Sequence, residues 1–78
     1  MSEQGPQFPG WDRVSHGVYE RYDAAGARYV VARLDGWNWG WVAASRTGHV
    51  LGGKLSSSID VFQAIAEADR AIAAAAGI

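Results

Sequence analysis

Residues 28–44 read RYVVARLDGWNWGWVAA, two runs of β-branched and aromatic residues on either side of Asp35-Gly36. Asp-Gly between such runs is a strong short-range hairpin signal, because glycine tolerates the positive φ that a two-residue turn demands. A two-residue loop here pairs Leu34 with Trp37, Ala32 with Trp39 and Val30 with Trp41. Directly opposed residues share a face, so this one turn decides which side chains of the sheet travel together.

Working outward, Asp23-Ala-Ala-Gly26 and Ser45-Arg-Thr-Gly48 place glycine fourth, which suits a type I turn closed by a left-handed residue. The first turn pairs Val18 with Ala32 and Glu20 with Val30. The second pairs Ala43 with Leu51, Trp41 with Gly53 and Trp39 with Leu55. Strands are expected near residues 17–23, 28–34, 37–44 and 49–55, the first having the weakest pattern. One face then collects Val18, Tyr22, Val30, Ala32, Leu34, Trp37, Trp39, Trp41, Ala43, Leu51 and Leu55, and is predicted to be the core. The opposite face, with Tyr19, Arg21, Tyr29, Val31, Arg33, Gly40, Val42 and Lys54, is predicted to be open.

Ser57 followed by Asp60 resembles a capping box and predicts a helix from there to about Ala76, before Gly77. Val61, Phe62, Ile65, Ala68, Ile72 and Ala75 form its apolar stripe, while Asp60, Gln63, Glu67 and Arg70 are placed on a solvated back. The expected fold class is α+β: a three- to four-stranded antiparallel meander with one C-terminal helix packed on one face. Residues 1–10 hold two Pro and two Gly without apolar periodicity and read as a flexible lead-in. Residues 11–78 read as a single domain.

At 78 residues the chain supports one core, and burial in so small a domain depends on large apolar groups, here four Trp, three Tyr and two Phe. No cysteine is present, which removes disulfides, thiolate metal sites and cysteine nucleophiles. No charged segment followed by an apolar run opens the chain, and no run approaches the length of a membrane span, so a cytoplasmic location is expected. Net charge is −1, but residues 13–56 carry six Lys or Arg against three acids, whereas residues 57–78 carry three acids and Arg70.

Gly48 to Lys54 matches GxxxxGK, but Leu55 stands where a phosphate-binding loop needs Ser or Thr for magnesium. Trp37, Trp39 and Trp41 at period two would suit base stacking if exposed, yet pairing with small aliphatic residues assigns them to the core. His16 and His49 have no convergent carboxylates in the sequence pattern, and Ser45 with His49 reads as a turn. No cofactor, no metal and no enzymatic activity are expected.

The group with a functional character is Tyr19, Arg21, Tyr29, Arg33 and Lys54 on the face predicted to be open, since Tyr and Arg are enriched where proteins bind one another. An alternative binding surface is the acidic helix back, with Asp60, Glu67 and Asp69, which could occupy a cationic DNA channel.

Gly17-Val-Tyr, Tyr29-Val-Val-Ala-Arg33, Gly48 before the last strand and Ala66-Glu-Ala-Asp69 together resemble the AP2-type DNA-binding domain. That resemblance implies major-groove reading by Arg and Trp on the sheet, although this chain has fewer basic residues there. In size, lack of motifs and Ala- and Gly-rich composition the chain also resembles small phage and prophage anti-CRISPR proteins that inhibit type I surveillance complexes. This second resemblance implies a compact, non-catalytic inhibitor that binds a bacterial CRISPR surveillance complex and blocks target DNA. Direct nucleic-acid binding is not expected, nor membrane association, and a monomer is expected rather than an obligate oligomer. An AP2-like nucleic-acid-binding module is the alternative.

Overall fold

A computed structural model describes residues 8–35 and 38–75, with the backbone alone for residue 35 and residues 55–59. Five strands, β1 (Asp12–Ser15), β2 (Val18–Tyr22), β3 (Arg28–Asp35), β4 (Asn38–Ala44) and β5 (Val50–Ile59), precede one helix, α1 (Val61–Ala75). The strands pair in sequence order as one antiparallel meander, and α1 packs chiefly on β3 and β4. The α+β class is as the sequence predicts, with one strand more than the three to four expected. The added strand, β1, is four exposed residues with Val14 as its lone aliphatic, so it carries no alternation to read.

Asp23 sets the β2–β3 hairpin. Its carboxylate accepts the backbone N–H groups of Ala25 and Ala27 at 2.9 Å each, and Gly26 supplies φ +90° at the end of the turn. The register is the predicted one, Val18 opposite Ala32 and Glu20 opposite Val30. The β3–β4 hairpin is different. Tyr29 lies opposite Ala43, Val31 opposite Trp41 and Arg33 opposite Trp39, one residue away from the predicted pairing. A bulge between Arg33 and Asp35 makes the slip, so Asp35 pairs with Asn38. Gly36 and Trp37 lie outside the described residues.

A one-residue slip moves a strand's side chains to the other face. Because β2 is locked to β3, both strands turn over together, whereas Trp39, Trp41 and Ala43 of β4 keep the helix side. The core therefore contains Tyr19, Tyr29, Val31 and Ala43 against Ala64, Ile65 and Ala68, with Trp39 and Trp41 packed around it. Val31 is completely buried, while Tyr22, Leu34 and Leu51, predicted to be core, are exposed. The Leu55 side chain lies outside the described residues.

β5 bulges twice against β4: Ala44 faces Val50, Ala43 faces Gly52, and residues 55–58 loop out between Lys54 and Ile59. Gly53 makes this close approach possible, since a Cβ there would sit 2.6 Å from the Trp41 carbonyl oxygen. Gly53 and Lys54 are thus strand residues, in the wrong setting for a phosphate loop. The predicted helix start at Ser57 is also corrected: the strand continues to Ile59, and Asp60 caps α1 by accepting the Gln63 N–H at 2.8 Å. The lead-in contributes as well, because Phe8 stacks edge-on against Tyr19 and Phe62, with ring centroids 5.3 and 5.6 Å away.

Candidate functional site

Glu67 and Asp69 stand on either side of Ala68, which is fully buried against the sheet. At 100° per residue, two side chains flanking an inward position emerge on opposite flanks of the helix and can reach down to the sheet on both sides. Both do so, and in the same way. Asp69 Oδ1 accepts the Trp11 indole N–H at 2.9 Å and the Arg21 guanidinium at 2.8 Å. Glu67 Oε1 accepts the Trp41 indole N–H at 3.1 Å, while Oε2 faces Lys54 Nζ at 3.5 Å and Gln63 Nε2 at 3.3 Å. Each carboxylate thus joins one indole and one cation from the sheet side to the helix.

These clasps bring together residues that the sequence assigns to two competing binding surfaces. Arg21 and Lys54 were expected on an open sheet face and Glu67 and Asp69 on a helix back, but they pair with each other across the helix–sheet junction, Arg21 with Asp69 and Lys54 with Glu67. Tyr19 and Tyr29, at 4% and 2% exposure, lie beneath the helix and cannot contact a partner from an open face. Arg33 is exposed opposite Trp39, near the Asp35–Asn38 end of the sheet, and Asp60 is exposed at the helix cap. The signal that could have shown the clasps is Glu67-Ala68-Asp69 itself: two acids astride the small residue at the centre of the apolar stripe.

Electrostatics follow from this geometry. The Trp41 indole holds the Glu67 carboxyl below its ordinary range, with Lys54 and Gln63 adding to the effect against partial desolvation. Asp23 is lowered chiefly by the Ala27 N–H, and Tyr29, which donates to Asp23 at 3.2 Å, is raised chiefly by burial. Ser45, Thr47 and His49 do form a hydroxyl–hydroxyl–imidazole chain, at 2.9 and 3.1 Å, but it closes an exposed turn with the His49 N–H bonded back to Ser45 Oγ at 3.1 Å. Among the described residues no group of three His, Asp or Glu could hold a metal ion. No described helix is long and apolar enough to cross a membrane.

Two hollows flank the C-terminal half of α1. One, of about 200 Å³, is lined by Tyr29, Trp41, Leu51 and Ala71 among others, and the second, of about 360 Å³, by Arg21, Asp23 and Ile72. Their polar groups are already engaged in the clasps and the Asp23 turn.

The surface left over is the sheet face away from α1. Across β2, β3 and β4 it presents Val18, Val30, Ala32, Val42 and Ala44, with Val50 of β5 continuing the row beside Ala44. Gly40, opposite Ala32, is itself buried, the aliphatics of β2–β4 are half-buried, and Val50 is exposed. Among the described charged side chains on this face, Glu20 and Arg28 pair with each other, Arg28 Nε donating to Glu20 Oε2, and exposed Asp12 of β1 lies opposite Glu20. No protein-family profile matches the chain, and no curated protein or solved structure matches it either.

Proposed function

We propose that this chain is a non-catalytic protein-binding module whose contact surface is the sheet face away from α1. The observation that carries this reading is the character of that face: it is largely aliphatic, and its Arg28 guanidinium is already neutralised by Glu20, with acidic Asp12 opposite Glu20. Nucleic acid would need cations free to replace condensed counterions along a phosphate backbone, and Arg28 offers none to spare. The AP2-like alternative has the right arrangement, a sheet with a helix behind it, but lacks the charge on the reading face. Acidic mimicry by the helix back is weakened likewise, since Glu67 and Asp69 are spent on Lys54 and Arg21.

An apolar patch of this kind suits a protein partner. The partner class we propose is a bacterial nucleic-acid-handling complex, with the chain acting as an inhibitor of the anti-CRISPR kind that prevents target DNA from engaging. A pull-down on purified type I surveillance complex, using wild type and Val42→Asp, is the test. Capture by the wild type and its loss in a folded Val42→Asp support the reading. Retention by the variant moves the contact off this face, and no capture removes the inhibitor assignment. A mobility shift showing sequence-selective duplex binding tighter than about micromolar at physiological salt would promote the AP2-like alternative instead.

A further inference from the structure

Gly52 is a strand glycine with no backbone or steric reason to be one. Its neighbours in β5 and the preceding turn have such reasons: Gly48 takes a positive φ, and Gly53 lets β5 approach the Trp41 carbonyl. Gly52 has no positive φ, and a Cβ built on it meets no atom within 4 Å. The bulge beside it needs only the extra residue, Leu51, between the Ala44–Val50 and Ala43–Gly52 pairs. A glycine inside a strand weakens it, and one without strain or crowding marks a place kept clear for something to approach closely.

The space kept clear is the hollow of about 200 Å³ beside the C-terminal half of α1. Gly52 lies opposite Ala43, which is buried on the helix side, so a side chain at position 52 would point into the same space. Buried Tyr29 and Ala43 and half-buried Trp41 line the hollow from the sheet, and Ala71 and Ala75 line it from α1. The helix stripe shows how the gap opens. Ala64 and Ala68 are fully buried, Ala71 is half-buried and Ala75 is exposed, so contact with the sheet is lost toward the C-terminal end, where the side chains are too small to fill the difference.

The lining also says what would fit. It holds no charged side chain, and its two polar side-chain groups are taken, the Tyr29 hydroxyl by Asp23 and the Trp41 indole by Glu67. A charged or hydrogen-bonding ligand would have its polar atoms desolvated there without partners, a cost that an apolar ligand does not meet. An apolar cavity of about 150 Å³ accepts benzene, so this volume suits one aromatic ring with a short alkyl group. The Tyr29 and Trp41 rings favour an aromatic occupant over an aliphatic one, because ring faces attract ring edges.

We propose that this hollow is a binding site for a small neutral aromatic molecule, one ring in size, held between the sheet and the C-terminal half of α1. The site lies on the side of the sheet opposite the face proposed to bind protein, and does not depend on that reading.

Toluene is the probe, titrated into the full chain and followed by amide NMR spectra and thermal melting. Shifts should saturate and centre on Ala43, Gly52 and Ala71, and the melting temperature should rise with toluene concentration. Benzoate, the same ring carrying a charge, should give no saturable shift. Gly52→Leu needs no unusual backbone and fills the space, so it should weaken toluene binding about tenfold or more while melting no lower than wild type. Ala71→Leu, from the opposite wall, should also weaken binding and serves if the first variant fails to fold. Wild-type shifts that rise linearly with toluene, or that centre on the open sheet face, overturn the inference. So does toluene binding that is undiminished in a folded Gly52→Leu or Ala71→Leu, or benzoate binding as tight as that of toluene. Unchanged wild-type spectra, with capture of the surveillance complex lost in Gly52→Leu, would hand the hollow to a side chain of a protein partner and remove the free ligand.

Discussion

The two sides of this sheet solve opposite problems with neighbouring residues. Val31 is fully buried under α1, while Val30, one position earlier, looks out from the open face. Among the described residues no buried side-chain nitrogen or oxygen lacks a partner, and on the helix side Trp11, Tyr29 and Trp41 each donate to a carboxylate. Of the described residues on the far side, the Glu20–Arg28 pair lies among small aliphatics, with Asp12 and Tyr22 beside it. The difference teaches where stability resides and where binding is free to act: side chains on the covered side are committed to the fold, and those on the open side can change without unfolding it.

Tyrosine provides the sharpest contrast, because the same residue type occurs on both sides. Tyr29, at 2% exposure, packs beneath α1 and donates to Asp23, whereas Tyr22 is 56% exposed on the open side. Removing a buried aromatic costs about 3 to 5 kcal/mol, through lost burial and the cavity left behind, and surface changes stay within about 0.5 kcal/mol. Tyr29→Ala should therefore unfold much of the population at room temperature, and Tyr22→Ala should melt like wild type. Chemical denaturation of both variants checks this, and equal losses would erase the distinction between the two sides.

That distinction was only half legible in the sequence, and the two hairpins show why. Asp23-Ala-Ala-Gly26 writes its own turn, since the aspartate closes it locally and the glycine takes the positive φ, so the β2–β3 register could be read residue by residue. Asp35-Gly36 also announces a turn, but the extra residue between Arg33 and Asp35 is a bulge, which the turn residues themselves do not announce. Binary pattern could not arbitrate, because Tyr29 and Val31 are as apolar as Val30 and Ala32. Four of the five strands and the presence of the helix were therefore legible, the faces of β2 and β3 were inverted, and the proposed sheet-face residues Tyr19 and Tyr29 proved to be beneath the helix, with Arg21 clasped to its flank. Asp60, expected on the helix back, is instead the residue that caps the helix, while Glu67 and Asp69 lie in the helix with roles that depend on indoles and cations distant in the chain.

The clasps offer a finer cut at the same comparison. If the covered side is held by polar bonds as well as by packing, Trp41→Phe should be destabilising though it retains most of the apolar area, because Glu67 loses its indole donor. The loss should be about 1 kcal/mol, the usual net value of a hydrogen bond, moderated by the partial exposure of the site. A double-mutant cycle with Glu67→Ala separates the bond from changes in packing. The Trp41→Phe penalty should shrink in the Glu67→Ala background. An unchanged penalty would mean that the ring's fit, and not its N–H, holds this flank of the helix.

The smallest expected effect is a tilt of stability with pH, and its sign follows from the same bond. The Glu67 carboxyl is held below its ordinary range, first by the Trp41 N–H and then by Lys54 and Gln63, so the folded chain keeps this group ionised at pH values where the unfolded chain begins to protonate it. Its contribution is present above the unfolded value of about 4.3 and is lost as pH falls through the lower folded value. Asp23, lowered by the Ala27 N–H, acts in the same direction and window. Melting temperature should therefore decline on acidification in that range, and Glu67→Gln should flatten part of the decline. Glutamine still offers Trp41 an oxygen, so neutral-pH stability should fall only slightly while the acid slope changes, which separates titration from loss of the contact. On the open side, Glu20→Gln provides the reference: if it flattens the acid slope as much as Glu67→Gln does, the acid sensitivity does not belong to the clasped side.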